Sequence, residues 1–304
     1  MFGCPAPSGK GRPRKARRVQ QLFDSQLALA RKLRAARHPV AGADFLLSRA
    51  AEDLRDRLGA TARRFPHAAT FFANTPHAAD ALRASGKVDT VLRVEAHPDW
   101  AGEGDVLAEA ETVPLPPESL DLAVSLLSLH ETNDVAGLLI QLRRALKPDG
   151  LFLGAMMGSG TLGELRESLL AAESALGGGV APRVYPFAEV RDAGGLLQRA
   201  GLALPVTDVE PVTVRYDSMF ALLADLRAMG ATSALSERTR RPATRALFAE
   251  AARHYAENFA DPDGRIRATF NILWMSGWAP HHTQSKPLKP GSAQISLADA
   301  LKKV

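Results

Sequence analysis

A short run of small polar residues and one histidine follows an apolar segment in the middle of the chain. Residues 120–125 are predicted to form a strand, and Ser128 and His130 come just after it. Ligands of an open parallel sheet bind beyond the carboxyl ends of its strands, so both side chains are expected to face a crevice, Ser128 as a candidate cofactor contact. His130 could act there as a general base, since a free histidine has a pKa of about 6.5. A structural, hydrogen-bonding histidine is the open alternative.

Two glutamates stand where a nucleotide-type cofactor needs hydrogen-bond acceptors. Glu95 ends the predicted strand 90–95, and an acid there can accept hydrogen bonds from both hydroxyl groups of a ribose. Glu109 could likewise accept one from an adenine amino group. A plainer interpretation stays open for both, because glutamates at strand ends are common without a ligand and Glu111 could form a solvated acidic turn with Glu109.

The segment after the first predicted strand lacks the residues that usually hold such a cofactor. Glycines let a backbone approach a ligand closely and present its amide groups. This chain has Phe72, Asn74 and Pro76 instead, and proline removes an amide donor while phenylalanine adds bulk. The pattern favours an ordinary strand-to-helix turn in which Thr75 caps the following helix.

Short apolar runs alternate with helical stretches from residue 67 onward, which predicts an α/β fold with helices on both faces of a parallel sheet. The predicted strands are 68–73, 90–95, 105–108, 120–125, 151–156, 206–216 and 265–278. The predicted helices are 23–37, 43–58, 75–85, 134–146 and 161–176, with a turn at 147–150. The expected organisation is a basic disordered tail (1–22), N-terminal helices (23–64), a core (65–217), a helical insertion or lid (218–263), and a final strand with a C-terminal tail (264–304).

Composition excludes several classes of protein. A chain of 304 residues with 46% hydrophobic content can bury a full core. It contains no apolar run of the roughly 18 residues that cross a bilayer, and no apolar segment follows its basic start as in a secretory signal, which predicts a soluble, intracellular protein without a transmembrane segment. A single cysteine, Cys4, rules out a disulfide framework within the chain. His281 and His282 are adjacent and have no spaced carboxylate, so no metal site is predicted.

The positive charge is concentrated in the N-terminal tail. Six Lys and Arg residues precede the first acid, Asp24, and they exceed the net charge of +5 of the whole chain. A nucleic-acid face on the folded part is therefore not predicted. The tail is interpreted as a solvated arm, with a peripheral membrane, RNA or partner contact and a mitochondrial presequence as alternatives.

Five segments in order resemble one known family: LFDSQLALARKLRAAR, PESLDLAVSLLSLHETND, LKPDGLFLGAMMGSGTLGELR, DLRAMG and ILWMSGWAPHHTQSKPLKPGSA. They are similar to the methyltransferase-like complex I assembly factors, which are related to the malonyl-carrier-protein methyltransferase of biotin synthesis. The resemblance covers residues 23–293 and implies the class I S-adenosylmethionine methyltransferase-like (Rossmann-like) fold, with a seven-stranded sheet and a helical insertion before the last strand. It also implies a crevice built from Glu95, Glu109 and the strand ending at His130.

The chain departs from this family where the cofactor would bind. The family's glycine loop aligns with residues 70–76, which places Phe72, Asn74 and Pro76 at the glycine positions. A family tryptophan is Glu131 here, and a family acid near the end of the fifth strand is Gly160. We therefore expect the affinity for S-adenosylmethionine to be reduced or lost.

Two functions from different classes follow from the resemblance. One is a protein that assists assembly or maturation of respiratory complex I by binding a partner, such as a complex I subunit. The other is an active S-adenosylmethionine-dependent methyltransferase acting on a protein or a small acid. Arginine modification on a complex I subunit is a third possibility implied by the family. The expected location is the cytoplasm of a bacterium, or the mitochondrial matrix in a eukaryote.

Overall fold

The computed structural model describes residues 21–177 and 179–285, and within them seven strands form one sheet in the order β3-β2-β1-β4-β5-β7-β6. The strands are β1 (Phe65–Phe71), β2 (Val88–Glu95), β3 (Val106–Leu107), β4 (Leu120–Leu126), β5 (Leu146–Met157), β6 (Ala203–Tyr216) and β7 (Ile266–Trp278). Neighbouring strands from β3 to β5 are parallel, whereas β7 runs antiparallel to both β5 and β6. The parallel strands therefore end at one common carboxyl edge.

Helices cover both faces of the sheet. They are α1 (Ser25–Arg37), α2 (Phe45–Gly59), α3 (His77–Ala84), α4 (Val135–Ala145), α5 (Gly163–Ala175), α6 (Val190–Arg199), α7 (Met219–Ala228) and α8 (Arg245–Phe259). Apolar side chains of α2, α3, α5, α7 and α8 belong to one buried cluster, and those of α4 and α6 belong to another. Because successive side chains of a strand point to opposite faces, neighbours such as Ala68 and Ala69 contribute to different clusters.

Several elements differ from the sequence prediction: β1 spans Phe65–Phe71 instead of 68–73, α6 was not predicted, and two turns differ. Residues 147–150, predicted as a turn, lie in β5, where Asp149 has a positive φ and its amide bonds to the carbonyl of Ala279. Thr75, predicted as an N-cap, does not cap α3; the capping position is Pro76, without a side-chain hydrogen bond. The Pro76 carbonyl already accepts from the amide of Asp80, so the helix starts one residue later than expected.

The N-terminal helix α1 lies across the carboxyl edge and is held mainly by polar contacts. It contains no fully buried side chain. Asp24 caps it by accepting from the amide of Leu27, and Arg31 donates to the carbonyl of Thr232 in the segment between α7 and α8. A β-bridge joins Phe23 to Leu235 just before the helix. The helix is therefore fastened to the insertion rather than buried in the core.

Cys4, the basic tail and the segment from residue 286 onward lie outside the described residues. Within the described residues, no helix is both long and apolar enough to cross a membrane.

Candidate functional site

The loop after β1 has a backbone that would suit glycine better than the residues it contains. Phe72 and Asn74 have φ angles of 54° and 57°. This left-handed region costs an L-residue about 1–2 kcal/mol, less for asparagine. The loop is held by hydrogen bonds from the Phe72 amide to the Val94 carbonyl (2.8 Å) and from the Asn74 amide to Oε2 of Glu95 (3.1 Å). The chain thus keeps two glycine-like conformations without glycine.

Glu95 is enclosed and fully partnered at the end of β2. Its side chain has no solvent exposure. Arg93, two residues earlier on the same strand face, donates from Nη2 to Oε1 of Glu95 at 2.9 Å and from Nη1 to Oδ2 of Asp105 at 3.2 Å. Since the Asn74 amide donates to the other oxygen, both carboxylate oxygens of Glu95 are already bonded within the protein.

The environment of Glu95 also changes its titration. Burial raises the pKa of Glu95 to about 7, although the charge of Arg93 and the hydrogen bond from Asn74 oppose this shift. Desolvation disfavours the charged form of a carboxyl group, and one arginine shared with Asp105 does not fully compensate. Glu95, the acid predicted to meet a ribose, is therefore only partly ionised near neutral pH.

A cavity of about 570 Å³ opens at the carboxyl edge beneath α1. Its walls come from α1 and the turn before α2, the loop residues Asn74 and Thr75, the ends of β4 and β5, and the end of α7. Most lining side chains are apolar, and Tyr185, Phe187 and Phe270 supply aromatic surface. Glu95 is not among the described residues that line it. The volume is typical of a site for a small molecule or an inserted side chain.

Two acids among the described residues line this cavity. The side chain of Asp44 is half exposed and bonds to Nε2 of His77, whereas that of Glu131 is buried. Glu131 forms an ion pair with Lys32 of α1, and its side chain is only 7% exposed. Burial would raise its pKa, but the charge of the paired Lys32 outweighs that effect and holds the pKa of Glu131 below its ordinary value. Tyr185 also bonds to it. Glu131 is therefore an ionised carboxylate in a largely apolar cavity.

His130 lines the same cavity as a neutral imidazole. Burial lowers the pKa of His130 to about 4. The nearest backbone donor to its Nδ1 is the Met157 amide at 3.4 Å, and its ring lies 6.0 Å from that of Phe187. A general base works best when its pKa lies near the working pH, so a histidine with this pKa is a weak base at neutral pH.

The other predicted site residues lie apart from this group. Ser128 is buried, and its hydroxyl bonds to that of Ser125 at 2.8 Å. Glu109 is exposed on the loop after β3. The structure thus brings His130 to the cavity, while Glu95, Glu109 and Ser128 are not among the described residues that line it.

Gly160, at the position of a family acid, has a geometric reason to be glycine. Its φ is +85°, and an added Cβ would lie 2.6 Å from Nδ2 of Asn271. That amide donates to the carbonyl of Ser159 at 2.7 Å. The turn therefore has no room for an acidic side chain unless Asn271 moves.

Four residues of the site were not predicted from the sequence as site residues: Arg93, Lys32, Tyr185 and Glu131, for which the sequence showed only that it replaces a family tryptophan. Arg93 carried a signal, because residues i and i+2 of a strand share a face and the predicted strand places Arg93 beside Glu95. Lys32 and Tyr185 carried none, since their proximity to Glu131 depends on the tertiary fold. Among the described residues, no group of three or more His, Cys, Asp or Glu side chains is arranged to hold a metal ion.

Comparisons with known proteins agree with this geometry. A methyltransferase domain family matches residues 74–154. The mitochondrial arginine-hydroxylase NDUFAF5 of Rattus norvegicus is 37% identical over 301 residues, covering 96% of this chain and 86% of that protein. The malonyl-[acyl-carrier protein] O-methyltransferase of Xylella fastidiosa is 33% identical over 181 residues, 60% of this chain and 59% of that protein.

Among solved structures, the YcgJ protein of Bacillus subtilis superposes with a TM-score of 0.52 at 16% identity, covering 76% of this chain and 99% of that one. This likeness concerns the fold alone. Together with the strand order, it confirms the predicted class I S-adenosylmethionine methyltransferase-like fold.

Proposed function

Because this chain belongs to the family of the NDUFAF5 proteins, we propose that it acts in the assembly or maturation of respiratory complex I, as a methyltransferase-fold protein with a degenerate cofactor loop. Its relative from rat is named an arginine-hydroxylase. On this proposal the cavity beneath α1 receives an arginine side chain from a protein partner, a complex I subunit. The protein would work where complex I is assembled, in the bacterial cytoplasm or the mitochondrial matrix.

One observation supports this function above others: the buried carboxylate of the cavity lining is Glu131, whereas Asp44 is half exposed and Glu95, the acid predicted to meet a ribose, is not among the described residues that line the cavity. A guanidinium group binds a carboxylate through two parallel hydrogen bonds and stacks on aromatic rings. Tyr185 and Phe187 line the cavity near Glu131, and its apolar walls suit the aliphatic part of an arginine.

The charges in the cavity are compatible with an incoming cation. Lys32 is 21% exposed and belongs to α1, so its ammonium group can turn toward solvent when another cation pairs with Glu131. His130 adds no competing positive charge at neutral pH, because its pKa is lowered to about 4. The role of these residues is to bind and orient the partner's side chain.

The degenerate loop is the second part of the proposal. The methyltransferase family match begins at Asn74, after β1 and Phe72, so it leaves out most of the loop that would cradle the cofactor. Phe72 is buried, and Pro76 has no amide to donate. S-adenosylmethionine would supply an activated methyl group if it were bound, but these residues do not fit its usual cradle.

An active S-adenosylmethionine-dependent methyltransferase is the alternative. It is favoured by the position of the cavity at the carboxyl edge, with Asn74 and Thr75 in its lining. The Thr75 hydroxyl has no hydrogen-bond partner among the described residues and could accept one from a ligand. His130 would then position a substrate rather than deprotonate it strongly.

Calorimetric titration with S-adenosylmethionine and S-adenosylhomocysteine separates the two functions. The proposal expects no heat of binding up to millimolar ligand for the wild-type protein. Micromolar binding that is lost in Glu95→Ala would contradict the degenerate loop and favour the methyltransferase.

Complementation of a deletion strain of the source organism tests the proposed site directly. Glu131→Gln should lower NADH:ubiquinone oxidoreductase activity of the membranes at least about tenfold, because a neutral amide cannot replace a charge-assisted pair. Glu103→Gln, at an exposed glutamate before β3, is the matched control and should complement fully. Equal complementation by both variants would exclude Glu131 as the functional acid.

A further inference from the structure

Outside the cavity, the guanidinium group of Arg93 bridges two carboxylates, those of Glu95 and Asp105. We propose that Arg93 determines cofactor specificity by closing the ribose subsite, so that Glu95 anchors the loop after β1 instead of binding a nucleoside. This inference deepens the proposed function, on which it rests for the premise that the natural protein does not hold S-adenosylmethionine.

The hydrogen bonds around Glu95 support this role. A ribose diol needs a carboxylate with free, accessible oxygens. Here Oε1 accepts from Arg93 at 2.9 Å, Oε2 accepts from the Asn74 amide at 3.1 Å, and the side chain has no solvent exposure. The bond to Asn74 also ties Glu95 to the strained loop. Glu95 therefore has a structural task that conflicts with ligand binding.

Asp105, in the segment just before β3, holds the other side of the Arg93 guanidinium group. Its Oδ2 accepts from Arg93 Nη1 at 3.2 Å and from the Gly102 amide at 2.7 Å, which holds the segment before β3 over the arginine. Arg93 and Asp105 side chains are each 11% exposed. The volume beside Glu95 is thus filled by a guanidinium group and covered by a fixed turn.

The Arg93 side chain is held by charge more than by complete hydrogen bonding. Its Nε is buried and has no hydrogen-bond partner among the described residues. The two carboxylates are therefore its main anchors. Replacing Arg93 by a small residue removes the guanidinium group beside Glu95. Strand β2 is kept, because its backbone at this position still pairs with Thr70 of β1.

The experiment is a calorimetric titration of full-length wild-type, Arg93→Ala and Arg93→Met proteins with S-adenosylhomocysteine and with adenosine. Arg93→Ala removes the bulk, the charge and the hydrogen-bond donors, whereas Arg93→Met removes the charge and the donors but keeps most of the bulk. We expect Arg93→Ala to bind at least about tenfold more tightly than the wild type, and Arg93→Met to gain less. Arg64→Ala, which removes an exposed arginine paired with Asp89, is the control and should not change binding.

A second variant covers the case in which Arg93→Ala does not fold. Asp105→Asn leaves Arg93 and Glu95 paired but weakens one anchor of the guanidinium group, and a smaller gain in adenosine affinity is expected. Thermal unfolding of each variant shows that the protein tested is folded.

The outcomes separate this inference from the proposed function. If the wild type and all folded variants fail to bind, the inference is overturned and the degenerate-loop function stands. If the wild type binds in the micromolar range and Arg93→Ala binds more tightly still, the degenerate loop is contradicted, and Arg93 narrows the ribose subsite without closing it, which overturns the closure proposed here. If the wild type binds and Arg93→Ala changes nothing, both are overturned.

Discussion

Two glutamates on opposite sides of the carboxyl edge of the sheet have opposite environments. On the side of β1 to β3, called here the nucleotide side, Glu95 is enclosed, bonded to Arg93 and the loop, and its pKa is raised to about 7. On the side of α1 and the insertion, called the lid side, Glu131 faces a cavity and its pKa is lowered. The difference shows that residue type alone does not distinguish the two glutamates; their partners and their access to the cavity do.

The largest expected effect on stability separates the two glutamates. Glu95→Ala removes the acceptor of the Asn74 amide and of Nη2 of Arg93, and each buried donor left without an acceptor costs about 1–3 kcal/mol, so the free energy of unfolding should fall by about 3 kcal/mol. Glu131→Ala should cost about 1 kcal/mol, because Lys32 is partly exposed and can be hydrated when its partner is lost. Urea denaturation measures both, and similar losses would remove the contrast between the two sides.

The next effect is a pH dependence of opposite sign on the two sides. The folded-state pKa of Glu95 is raised from 4.5 to about 7, so its contribution to stability is present at low pH and is lost as the pH rises through this window. The folded-state pKa of His130 is lowered from 6.5 to about 4, so stability is lost as the pH falls from 6.5 to 4. Each contribution is on the order of 3 kcal/mol at most.

The two contributions oppose each other between pH 4.5 and 6.5 in the wild type. Relative to the wild type, Glu95→Gln should gain stability as the pH rises through that window, and His130→Gln should lose it. Denaturation curves at several pH values measure both differences. Parallel curves for the wild type and the two variants would show that neither group is shifted in the folded protein.

Much of the fold could be predicted because its strands carry clear apolar patterns, but α6 was not. Its sequence contains Gly194 and Gly195, which disfavour a helix by about 1 kcal/mol each. Burial of Ala193 and Leu197 against the sheet overrides that preference. Such compensation depends on tertiary packing, which a local pattern does not contain.

The candidate site could be predicted only in part for a similar reason. The loop, Glu95 and His130 lie next to predicted strands, so their general position followed from the rule for open sheets. The enclosure of Glu95 by Arg93 and Asp105, and the ion pair of Lys32 with Glu131, depend on side-chain contacts that form only in the tertiary structure. Lys32 reaches Glu131 across the fold, although the two lie far apart in sequence.

A smaller effect concerns Gly160 on the lid side. Gly160→Asp would place a side chain against Asn271 and force an L-residue to a φ of +85°, so we expect a loss of about 2 kcal/mol in unfolding free energy. Asn271→Ser, which shortens the obstructing side chain, should reduce the penalty when combined with Gly160→Asp. A fully stable single variant would show that the family acid is absent for another reason.

The smallest expected effect tests the loop on the nucleotide side. Asn74 has a φ of 57° and its amide donates to Glu95, so Asn74→Gly keeps that hydrogen bond and relieves the left-handed conformation. Asparagine tolerates this region better than most residues, and the gain in unfolding free energy should be about 0.5 kcal/mol. Asn74→Gly alone should not allow S-adenosylhomocysteine to bind, because Arg93 still donates a hydrogen bond to the carboxylate of Glu95. If Asn74→Gly binds S-adenosylhomocysteine at micromolar concentration, the loop and not Arg93 prevents binding in the wild type. If affinity rises only in the double variant with Arg93→Ala, the loop and Arg93 both prevent it.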